Sequence, residues 1–130
     1  MLARRPSLIA FCREERGAAA VEFVLIMIPL IMLTIGVMNL CLMLYTVATL
    51  NYTAQDAARC ASVRTICNSD AAITTYARTR YQGPARPTVV FTRTLASCGN
   101  RIVATASYKF TTGLTSSTIP LTAVACYPTA

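Results

Sequence analysis

From Phe23 to Tyr45 the chain carries no charge, and apolar side chains fall on every side of a helical wheel. At ~1.5 Å per residue this stretch makes a helix about 34 Å long, enough to cross ~30 Å of hydrocarbon. A removable secretory segment has an apolar run of only ~7–15 residues, so the length predicts a retained span. Past Tyr45 the pattern becomes one-sided. Val47, Leu50, Ala54, Ala57 and Ala61 recur at helical spacing and form a narrow stripe of small side chains. Two partners suit that stripe: the chain's own domain, or the helix of a neighbouring subunit. Pro29 leaves the Leu25 carbonyl without its helical donor and predicts a kink or a loosened turn. Asn39 is expected to find a neighbouring helix or a water.

The long helix is expected to end near Cys67 and Asn68. Ser69 or Asp70 can cap a second helix over roughly Ala71 to Gln82, with Ile73, Tyr76, Ala77 and Tyr81 on one face. Gly83-Pro84 stops it. The remainder reads as sheet. Thr88 to Leu95 alternates Val89, Phe91, Arg93 and Leu95 against threonines and Val90. Ser97-Cys98-Gly99-Asn100 suits a hairpin connection. Arg101 to Phe110 then sets Ile102, Ala104, Ala106, Tyr108 and Phe110 against a polar face. A polar loop from Thr111 to Thr118 and a last strand from Leu121 to Tyr127 complete the pattern. The class is α+β: a long N-terminal transmembrane helix running into a small outer domain with a second helix and a three-stranded antiparallel sheet. The divisions are a leader over 1–17, the span over 18–46 and the outer domain over 47–130.

Charge orients this arrangement. The formal net charge is +7. Arg4, Arg5, Arg13 and Arg16 precede the span, and a short arginine-rich flank stays cytoplasmic, while long domains cross largely regardless of charge. The outer basic residues, Arg59, Arg64, Arg78, Arg80, Arg86, Arg93, Arg101 and Lys109, are dispersed without interleaved aromatics. They predict a solvated basic surface and no nucleic-acid partner.

Of six cysteines, Cys12 precedes the span and Cys41 lies in it, both read as free thiols or packing residues. Cys60, Cys67, Cys98 and Cys126 fall on the outer side, an even set suited to two disulfides in an oxidising compartment. Zinc is disfavoured, because the chain has no histidine and no CxxC pair. In an unbroken helix Cys60 and Cys67 would stand about 10 Å apart, past the ~7 Å limit for bridging. The expected pairs are therefore Cys67–Cys98 and Cys60–Cys126, although a helix ending before Cys67 would readmit the local pair.

The chemistry concentrates at the lip of the span. Arg16-Gly17-Ala18-Ala19-Ala20-Val21-Glu22-Phe23 puts a carboxylate where insertion costs roughly 2.5–3.5 kcal/mol at mid-membrane and less at the boundary. Gly17 followed by small or apolar residues, then Glu22-Phe23 and an apolar helix, resembles the type IV prepilin processing signal. With Pro29, Gln55-Asp56-Ala57-Ala58-Arg59, the two outer strands and Pro120-Leu121-Thr122-Ala123, the chain resembles the TadE-like minor pseudopilins of tight-adherence (Flp) pilus systems. Flp major pilins share the junction but are generally much shorter. The chain departs from common members at Ala58-Arg59-Cys60-Ala61, where a glycine often stands.

The resemblance implies cleavage between Gly17 and Ala18 by a prepilin peptidase facing the cytoplasm, and retention in the bacterial inner membrane before incorporation into a pilus. Its implied partners are that peptidase, other pilins or pseudopilins, the inner-membrane assembly platform and lipid. Cutting would free an amine at Ala18 on the helical face of Glu22, within the chain or against a neighbour. The simpler alternative for Glu22 is a headgroup-level acid on an ordinary anchor. An alternative function is an uncleaved single-pass envelope protein whose basic outer domain is a binding module. Catalysis is not expected: there is no histidine, Asp70 suits a cap, and the loop serines lack a base. No cofactor is implied.

Overall fold

The computed structural model describes residues 15–84, 88–111 and 114–129, with side chains described from Gly17 onward. Helix α1 runs without interruption over Glu15–Val63, straight through Pro29. The segment outside the domain gains little from tertiary packing among the described residues: Phe23, Leu25 and Leu33 are all more than half exposed. Its polar side chains fold back onto their own helix. Thr34 Oγ1 donates to the Ile31 carbonyl at 2.8 Å, and Asn39 Nδ2 to that of Ile35 at 3.0 Å. One N–H of Asn39 is thus held within its own helix, a local bond not anticipated from sequence. Thr46 and Thr53 repeat the device farther along, bonding the carbonyls four residues back.

The one-sided stripe meets the chain's own domain. Leu50, Ala54, Ala57 and Ala58 are fully buried, and Ala61 packs at the margin. Beyond Val63 the chain turns extended at Arg64, makes one 3₁₀ turn over Thr65–Cys67, and enters helix α2, Asp70–Arg80. Ser69 caps α2 by accepting from the Ala72 amide at 3.3 Å, and Arg78 and Arg80 stand in its last turn. Ile73, Ala77 and Tyr81 face inward, as their spacing predicts, with Tyr76 at the edge.

Strands β1 (Val90–Ala96), β2 (Gly99–Thr111) and β3 (Ser116–Tyr127) form an antiparallel sheet in chain order. Ala96 pairs with Gly99 across a two-residue turn. Gly99 has φ of +112°, and a Cβ there would collide with the Tyr127 carbonyl, so no other residue fits without strain. The helix-facing rows read Phe91–Ala104–Ala123, then Arg93–Ile102–Ala125, then Leu95–Asn100–Tyr127. Alanine recurs in the sheet and on α1, so the two backbones approach closely. Tyr81 closes the α2 side edge-on to Phe91, with ring centroids 6.5 Å apart. Leu95, expected inside, is 75% exposed because its row lies at the end of the sheet. The stretch read as a loop over Thr111–Thr118 is partly strand, since β3 begins at Ser116 and pairs with Thr111.

The disulfides are Cys60–Cys67 and Cys98–Cys126, not the long-range pairs expected from sequence. The reason is the end of α1. With helix stopping at Val63, the 3₁₀ turn folds Cys67 back until its Cα lies 5.7 Å from that of Cys60. Cys98 sits in the β1–β2 turn, next to the end of β3, where its Cα is 6.2 Å from that of Cys126. Loop closure makes these worth ~2.5 and ~3.6 kcal/mol respectively.

Peptide mapping without reductant should recover Cys60 linked to Cys67 and Cys98 linked to Cys126; a Cys60–Cys126 peptide would contradict this packing. Ile102 has no exposed surface, so Ile102→Ala should cost about 2–5 kcal/mol in denaturant unfolding of the outer domain.

Candidate assembly site on the long helix

Gly17, Ala18, Glu22 and Phe23 lie on consecutive turns at the start of α1, and all four are exposed. A Cβ at Gly17 would meet nothing within 4 Å. Glycine there costs ~1 kcal/mol of helix propensity against alanine, with no packing return. Its presence is not explained by the fold. The residues before Glu15 lie outside the described region, Cys12 and the arginines Arg4, Arg5 and Arg13 among them.

Ala18 and Glu22 are separated by one helical repeat and so share a face. Phe23 is 63% exposed beside them. Pro29 follows on the same uninterrupted helix. Across Gly17–Val63 the helix is long and apolar enough to cross a membrane, with a window of mean hydropathy 2.5 that is nowhere buried by the protein. Cys41, a free thiol among the described residues, is exposed on it.

At the other end, a polar cluster fixes α1 against α2. Tyr76 donates to Asp56 Oδ2 at 2.9 Å, while Arg64 Nη1 and Arg80 Nε donate to the Tyr76 hydroxyl at 3.0 and 3.3 Å. Both guanidinium groups also lie over the Tyr76 ring, at 5.9 and 5.6 Å. The hydrogen bond to Tyr76 and its charge interaction with that group, then the charge of Asp56, hold the Arg80 guanidinium above its ordinary pKa.

A second cluster closes the end of the sheet. Arg93 grips Asn100 Oδ1 through Nε (2.9 Å) and Nη2 (2.7 Å), and its Nη1 reaches Asp70 at 3.4 Å. Buried Asn100 donates onward to Ser62 Oγ at 2.9 Å. Sequence reasoning missed both clusters, since each joins residues distant in the chain. The inward alternation of Arg93 among Phe91 and Val89 was the available signal.

Tyr108 ties the sheet to the apolar part of α1. Its hydroxyl donates to the Asn39 carbonyl at 3.1 Å, so β2 meets α1 within the apolar run. A cleft of about 580 Å³ lies between Tyr52, Gln55, Asp56 and Arg59 of α1 and Val124–Tyr127 of β3. Among the described residues no three His, Cys, Asp or Glu side chains converge to hold a metal ion.

Residues 17–59 match the TadE-like protein family, beginning at Gly17 and ending on the domain-facing part of α1. Comparison with curated proteins and with solved structures found no match.

Replacing Tyr76 by Phe should lower the stability of the outer domain by about 1 kcal/mol in urea unfolding, from the lost bond to Asp56. Tyr76→Ala, which also removes the ring beneath two guanidinium groups, should cost more.

Proposed function

We propose, from a TadE-like match that opens at Gly17, that this chain is a minor pseudopilin of a tight-adherence (Flp) pilus system. It is cut between Gly17 and Ala18 by a prepilin peptidase, held in the inner membrane by α1, and passed to the pilus or its assembly platform. The observation that carries this reading is the coincidence of the match boundary with a glycine for which the fold has no use.

The physical logic lies in the length of α1. The sheet reaches down to Asn39, so the charge-free helix clear of it, Phe23 to Met38, is about 24 Å long. That is short of the ~30 Å of hydrocarbon. The missing length comes from the turn bearing Glu22, from the turns above Asn39, or from both. In so far as the Glu22 turn supplies it, a carboxylate enters lipid and calls for a cation. An amine freed at Ala18 is the nearest one. The pair can form within one chain or between neighbours; the latter sets register as subunits pack, because a paired carboxylate tolerates a helix bundle that a bare one resists.

The tests are direct. Mature protein should begin at Ala18 by N-terminal sequencing, Gly17→Ala should block processing, and both Gly17→Ala and Glu22→Ala should reduce piliation. Normal fibres from cells whose Gly17→Ala protein stays uncut would remove the mechanism. An intact N terminus and indifference to Glu22→Ala would instead favour an uncleaved binding module.

A further inference from the structure

We infer that the tip of the β2–β3 hairpin, carrying Phe110 and Leu114, is immersed in the lipid leaflet beside α1 and forms a second membrane contact. The inference rests on the reading of α1 as a span.

Strand β2 runs back along α1: Asn100 bonds Ser62, and eight residues later Tyr108 bonds the Asn39 carbonyl. The strands continue to the Thr111–Ser116 pair; Asn100 to Thr111 spans about 36 Å at ~3.3 Å per residue, matching the ~35 Å of α1 from Ser62 to Asn39, so the ladder ends at about the level of Asn39. Asn39 itself lies inside the charge-free run. If the hydrocarbon ends at Asn39, the tip lies at its surface, in the headgroup layer of the leaflet. If the hydrocarbon extends to Tyr45, with Glu22 left at the opposite boundary, the tip lies deeper.

The lack of charge agrees with this position, and the threonines and serines of 111–118 suit the polar boundary layer of the leaflet. Lys109 is the last charged residue of the chain, and α1 has no charge between Glu22 and Asp56. The end of the domain nearest the span is therefore uncharged apart from Lys109, whose long stem can carry its ammonium up to the headgroups. Leu114 is 76% exposed, with no protein surface covering it.

Pairing agrees too. Strand β1 stops opposite Thr105, so from Ala106–Leu121 onward the sheet is a two-stranded arm, buried at Ala106 and Tyr108 and left with less cover beyond them. Its strands enter lipid with backbone groups already bonded to each other as far as Thr111–Ser116.

The chain has no tryptophan, so single-tryptophan variants report position without a label. Leu114→Trp, Leu33→Trp and Leu95→Trp replace exposed side chains in the tip, the span and the far end of the domain. Each full-length protein is reconstituted in phosphatidylethanolamine–phosphatidylglycerol vesicles, with and without lipid brominated near the top of the acyl chain. Emission from Leu114→Trp and Leu33→Trp should fall about two-fold or more, while Leu95→Trp should be unaffected. Quenching of Leu33→Trp without quenching of Leu114→Trp would overturn the inference and leave the span standing. A Leu114→Trp emission that is blue-shifted but unquenched would mean a protein partner instead of lipid, and would equally overturn it. Failure at both positions would remove the span and the inference together.

Discussion

One helix has to satisfy two solvents. Along its first part α1 is apolar on all sides and largely uncovered by the described residues; along its second part it offers a narrow alanine face to a sheet and polar groups elsewhere. No break separates the two regimes. The change is accomplished by side chains alone, as threonines and asparagines bond carbonyls of their own helix. Everything else hangs from this shared rod: the register of the sheet on it, the position of the acid at its start, and the cross-links at its end.

The small outer domain compensates for its size in two ways. Alanine on both surfaces brings α1 and β2 close, so that modest side chains fill the core. Polar clusters and disulfides then gather at the end remote from the span, where Asp56, Arg64, Tyr76 and Arg80 tie the helices and Arg93 with Asn100 ties the sheet to Ser62. Charge therefore increases with distance from the apolar segment, as expected of a body standing on a low-dielectric surface.

The parts legible in sequence were those governed by a local period. The Leu50–Ala54–Ala57 stripe, the capped second helix and the alternation of β2 all follow from spacing, and the class α+β follows from them. The disulfide pairing did not, because it turned on whether α1 passed Val63, where neither glycine nor proline marks a stop. The early start of β3 was hidden in a Ser-Thr run whose strand character came from pairing with β2. Of the candidate site, the order of Gly17, Ala18 and Glu22 was plain, whereas the contact of Tyr108 with Asn39 joins positions with no local signal.

The unbroken continuity of α1 has a mechanical consequence. With no hinge between the apolar segment and the domain, the domain turns as the helix turns. From Asn39 to Val63 the rod extends about 36 Å, so leaning its base by ~10° would carry the far end sideways by ~6 Å. A small rearrangement among the buried ends of neighbouring rods would thus be magnified at the periphery, making the shaft a lever whose fulcrum is the leaflet.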